Sequence, residues 1–153
     1  MADKTVDRWT KEGKAFKKAL EELGKLEVRV GYQEGVTYPD GTPVINVALW
    51  NELGTVNIPP RPFIRQTVDN NEAKFQSQMK ASASKLAKGT SSDEVLNELG
   101  VFAKGLLQKE IKNGGFIANA PSTVKKKGSD KPLIDTGLLR QSANYVIKKK
   151  GGQ

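Results

Sequence analysis

The sequence predicts an α+β fold: a small antiparallel sheet, with strands near residues 26–32, 36–38 and 143–149, packed against about four helices. Three observations predict it. Apolar and polar residues alternate over 26–32, and a short β-rich run, Ala143-Asn144-Tyr145-Val146-Ile147, stands near the other end. Between them the apolar residues recur at helical spacing. No internal repeat and no shift of composition marks a second domain, so residues 1–153 are expected to form one.

Val6, Trp9, Phe16, Leu20 and Leu23 lie on one helical face opposite Asp7, Lys11, Lys14, Lys17, Lys18, Glu21 and Glu22. An amphipathic helix is expected over 5–23, with Trp9 and Phe16 in the core and Gly24 as its stop. Leu26, Val28, Val30 and Tyr32 alternate with Glu27, Arg29 and Gly31, the pattern of a half-buried strand. Pro39-Asp40-Gly41 reads as a turn, and residues 36–38 as a short second strand. Thr42 then caps a helix that begins at Pro43 and runs to Leu53.

Gly54 supplies the left-handed residue that commonly ends a helix. After it comes Pro59-Pro60-Arg61-Pro62, where three prolines fix φ and hold the chain extended. Phe63 and Arg65 follow at the mouth of the next helix. An aromatic and two arginines on a preset backbone suit docking, because little conformational freedom remains to be lost. Arg61, Pro62, Phe63 and Arg65 are therefore the candidate partner-binding residues. A rigid inter-helix loop whose Phe63 enters the core is an equally open reading. Alanine at 61 and 63 together is expected to leave a folded monomer that no longer docks.

A third helix spans 63–87 with a thin apolar stripe of Val68, Phe75, Met79, Ala83 and Leu86. Ser91 and Glu94 have capping-box spacing, and a fourth helix carries Val95, Leu99, Phe102 and Leu106 to Asn113. Its wide apolar face makes it the central helix. Residues 115–131 show no period and read as a flexible loop that carries Lys125, Lys126 and Lys127. Asp135 or Thr136 then caps a short helix over 137–142, and the final strand pairs with 26–32. The tail Lys-Lys-Lys-Gly-Gly-Gln is expected to fray.

Composition narrows the function. Apolar residues are 37% of the chain and mean hydropathy is −0.53, so a modest core and partner-completed surfaces are expected. Net charge is +8, which suits acidic protein surfaces or nucleic acid, and Lys125 to Lys127 are the candidate electrostatic contacts. No His and no Cys removes the commonest general base, metal ligands and thiol chemistry. Ser92, Ser122 and Ser142 have no base partner by residue type. Asp135-Thr136-Gly137 resembles the active-site turn of aspartic proteases, but those enzymes need two carboxylates sharing a proton and a sheet-rich surround. A cap explains the motif better. No catalytic residue, cofactor or metal is expected, and no apolar run reaches membrane-span length.

Three segments in order carry a resemblance. Ala48-Leu-Trp-Asn-Glu-Leu-Gly-Thr55, Ile58-Pro-Pro-Arg-Pro-Phe-Ile-Arg65 and Pro132-Leu-Ile-Asp-Thr-Gly-Leu-Leu-Arg-Gln-Ser-Ala-Asn-Tyr-Val-Ile147 resemble the neck or tail-completion proteins of long-tailed bacteriophages. Asn51, Glu52, Gly54, Thr55, Pro60, Arg61, Pro62, Phe63, Pro132, Leu133, Asp135, Thr136, Gly137, Leu139 and Ser142 fall on the motif positions, and the Tyr38–Thr42 turn also fits. Residues 66–113 carry no such signature. The resemblance implies a head–tail joining domain in the virion, assembled in the host cytoplasm. It implies a ring of identical subunits, expected to be a hexamer. The ring would meet a connector or stopper protein on one side and a tail terminator or tail tube protein on the other. DNA would pass through its lumen without sequence-specific contact. A basic accessory protein that binds nucleic acid non-specifically is the alternative, testable by gel shift and by neutralising Lys125 to Lys127.

Overall fold

A computed structural model describes residues 9–128, 130–134 and 137–152. It is an α+β fold, with seven helices and a two-stranded antiparallel sheet among the described residues. In chain order the elements are α1 (Lys11–Leu23), β1 (Leu26–Gly31), α2 (Val44–Leu53), α3 (Phe63–Asn70), α4 (Glu72–Ala87), α5 (Ser92–Asn113), α6 (Pro121–Lys127), α7 (Leu138–Ser142) and β2 (Asn144–Lys149).

β1 and β2 pair as the alternation predicts, with Val28 opposite Ile147 and Val30 opposite Tyr145. One face of this ribbon lies on α5, where Gly100 leaves room for the Tyr145 ring. α5 is the central helix. Its Val95, Leu96, Ala103, Leu107 and Ile111 are buried, and the Ser91 hydroxyl accepts from the Glu94 N–H at 3.2 Å, as the capping spacing predicts. The main core gathers Val44, Ala48, Phe63, Leu107, Ile111, Leu133, Leu139 and Ala143 from α2, α3, α5, α7 and the segments before and after α7.

Six expectations change. The basic tail does not fray from its start, because Lys148 and Lys149 end β2 opposite Glu27 and Leu26. The first helix starts at Lys11, because the Thr10 hydroxyl accepts from the Gly13 N–H at 3.0 Å and caps it there. Trp9 is thus outside the helix and exposed rather than in the core, and residues 5–8 lie outside the described residues. Residues 36–38 form no third strand. Thr37 makes an isolated bridge to Pro43, and Val36 O accepts from Val44 N, so this segment closes locally on its own turn. α2 begins one residue later than expected, since Asp40 Oδ1 accepts from Thr42 N and holds Thr42 in the turn.

The predicted helix over 63–87 is two helices broken at Asn71. The buried Asn71 amide donates to Thr67 O, the carbonyl that its own N–H would need for an α-helical bond. That N–H turns to Val68 O instead, with φ −125° and ψ 18°. Lastly, the 115–131 segment contains α6. Pro121 stands in its first turn and Gly128, at φ 70°, ends it, the two punctuation marks of a short helix without an apolar period.

Candidate interaction surface

Arg61 and Asn51 build the corner between α2 and α3. The Arg61 N–H donates to Asn51 O, and Arg61 Nη1 donates to Asn51 Oδ1 at 3.1 Å. The rest of the guanidinium reaches the segment after α5: Nε to Ile117 O at 2.8 Å, and Nη2 to Ala118 O at 3.3 Å and Asn119 Oδ1 at 3.1 Å. All four acceptors of the guanidinium, two backbone carbonyls and two side-chain amides, are neutral. Burial lowers the pKa of Arg61 from its ordinary value, yet a guanidinium stays charged at any physiological pH.

Glu52 completes the corner. Its Oε2 accepts from Ile64 N at 2.8 Å and its Oε1 from Arg65 N at 3.1 Å. These are N–H groups that the first turn of α3 leaves without helical partners, so a carboxylate from α2 caps α3 from outside. Gly54 has φ 78° and ψ 167°, a region open essentially to glycine rather than the expected left-handed helical one. A Cβ there would also stand 3.0 Å from the Pro60 ring.

The candidate contact residues therefore separate. Arg61 is 6% exposed and Phe63 0%, and both face their own chain, so neither has surface to offer a partner. The expectation of docking through these two is replaced by an architectural role. Pro62 is half-buried and Arg65 exposed. Lys125 and Lys126 are exposed on α6, and Lys126 helps to lower the Asp40 carboxyl below its usual range, after the larger effect of the Thr42 N–H. Lys127 is half-buried and lines a cleft of about 300 Å³ with Tyr38, Trp50 and Arg61. Gly137 takes the left-handed conformation, φ 79°, just before α7, while Asp135 and Thr136 lie outside the described residues.

A surface that the sequence motifs do not mark is the outer face of α2. Val44 and Ala48 turn inward, and Ile45, Leu49, Trp50 and Leu53 remain exposed. Val56, at the tip of a loop tied by Thr55 Oγ1 to the N–H groups of Asn57 and Ile58, is fully exposed at 102%. The signal was present in Val44-Ile-Asn-Val-Ala-Leu-Trp-Asn-Glu-Leu53, a helix apolar nearly all round, which ordinarily means covered on every side. Here its only charged residue, Glu52, is engaged by α3.

No protein-family model, curated protein or solved structure matches this chain. Among the described residues no helix is long and apolar enough to cross a membrane.

Proposed function

We propose that this chain is a structural subunit of a phage virion, a ring component that joins the DNA-filled head to the tail. The observation that carries the reading is the exposed, uncharged apolar face of α2, in a chain of net charge +8. A surface of that kind suits a protein that is completed by neighbours and is poorly suited to phosphate contacts. It rises from the Asn51–Arg61 corner, built from two of the three segments that carry the resemblance to neck and tail-completion proteins.

In this reading the corner fixes the angle between α2 and α3 and so presents the apolar face rigidly. Connector or stopper protein lies on one side of the ring and tail terminator or tube protein on the other, with DNA in the lumen. No reaction is catalysed. The test is a phage in which this chain is not translated. Filled heads and separate tails are the expected products, and infectious particles in normal yield would overturn the reading.

A further inference from the structure

The molecule carries a second apolar, uncharged surface. A groove of about 310 Å³ opens between β1, α3, α4 and α5. Val28, Val30, Ile64, Val68, Phe75 and Met79 line it, and among the described residues none that lines it is charged. Val68 and Met79 stand more than half exposed at its rim. The volume is roughly twice that of an engineered apolar cavity that holds one benzene ring. The groove shares no residue with the ridge formed by Ile45, Leu49, Trp50, Leu53 and Val56.

We propose that the ridge of one copy seats in the groove of the next. Three observations choose a second copy of this chain as the occupant. First, the two surfaces match in chemistry. Both are apolar and free of charge in a chain where 27% of residues are charged. Two +8 subunits can therefore meet there without placing like charges opposite each other, while an acidic or nucleic-acid partner finds no cation to pair with. Second, the ridge carries enough apolar area for one side of an interface, and the groove has room for its leading side chains. A standard interface takes about 800 Å² per partner, a little over half of it apolar. Five large side chains at these exposures supply most of that apolar share. Third, one surface is a ridge and the other a groove, on different elements. A contact between different patches is head-to-tail and propagates, closing into a ring where the rotation allows.

The inference rests on the ring reading above, and its test is independent of that reading because no head or tail component enters it. Sedimentation velocity over a concentration series reads self-association of the purified chain. Leu49→Asp with Leu53→Asp removes the ridge, and Met79→Asp removes the groove. All three positions are exposed in the free chain, so folding is expected to survive, as circular dichroism would verify. Val56→Asp and Val68→Asp form a second pair for the same purpose.

The wild-type chain is expected to assemble beyond the monomer, and each variant alone to associate at least tenfold more weakly. Mixing a ridge variant with a groove variant leaves one intact ridge for one intact groove. The mixture is expected to give a one-to-one dimer that grows no further. A wild-type chain that stays monomeric throughout would overturn the proposal. So would a groove variant that assembles like wild type, the outcome of ridge-to-ridge pairing. Association without any head–tail joining in phage would instead count against the virion reading alone.

Discussion

The ring of Tyr145 lies where a side chain at position 100 would have to stand. A Cβ built on Gly100 would come within 2.1 Å of Tyr145 Cδ2, and the Tyr145 hydroxyl donates to Asn97 Oδ1 at 2.9 Å, one turn earlier on α5. Gly100 thus sets how closely the sheet approaches the central helix.

Gly100→Ala pits two effects against each other. Alanine inside a helix is favoured over glycine by about 1 kcal/mol. Overpacking against a ring held by its own hydrogen bond costs roughly 1–3 kcal/mol, and more where backbone has to move. Net destabilisation is expected in urea unfolding. Gly105→Ala on the same helix meets nothing within 4 Å and is expected to stabilise by up to about 1 kcal/mol.

Arg61→Lys keeps the charge and loses the fork. An ammonium cannot satisfy Ile117 O, Ala118 O, Asn51 and Asn119 together, and some of these acceptors lose their partner. A loss of about 2–4 kcal/mol is expected by denaturant titration. Phe63→Ala empties a fully buried site and should cost about 3–5 kcal/mol. The double alanine variant at 61 and 63 is accordingly expected not to fold, contrary to the expectation drawn from sequence.

Glu52→Gln retains one acceptor and removes the negative charge at the start of α3. A loss of about 1 kcal/mol is expected, and Glu52→Ala should lose up to about 2 kcal/mol. Thermal melts of both variants against wild type provide the check. Equal stability of all three would show that the cap contributes nothing.

Tyr32 gives the pH dependence. Its ring stands edge-on to Phe63 at 6.2 Å, and its buried hydroxyl has no hydrogen-bond partner among the described residues. Burial, then the nearby Tyr38 and Glu52, raises its pKa above the ordinary tyrosine value. The neutral form is thus favoured by folding. Stability from this group is complete below about pH 10, the unfolded value, and declines as pH rises further towards the folded value. Tyr32→Phe should remove that alkaline decline. It should also raise stability at neutral pH by about 1 kcal/mol, because an unsatisfied hydroxyl leaves the interior. An unchanged alkaline slope in the variant would refute the assignment.

The parts of this fold that were legible in the sequence are those set by local pattern. Val28 and Val30 announce a strand, and Val95 to Ile111 announce the central helix. The Ser91–Glu94 spacing marks where that helix begins. What was illegible depends on partners far along the chain or on side chains that compete with the backbone. Asn71 breaks a helix by taking Thr67 O, an event invisible to apolar spacing. Arg61 reads as an exposed contact because its acceptors at 117–119 are remote in sequence. α6 is fixed by Pro121 and Gly128, with no buried residue to give it a period. The outer face of α2 was readable, since too many of its residues are apolar for one inward stripe.

The two-stranded sheet has a further consequence for synthesis. β1 is made well before β2, with α2 to α7 between them, and among the described residues each is the other's only strand neighbour. Lys150 N also donates to Lys25 O, just beyond the ladder. A chain emerging from the ribosome therefore cannot close its ribbon, or bury Leu139 and Ala143 in the main core, until residues 139–149 have been made. Until those residues emerge, β1 presents an open edge along its whole length.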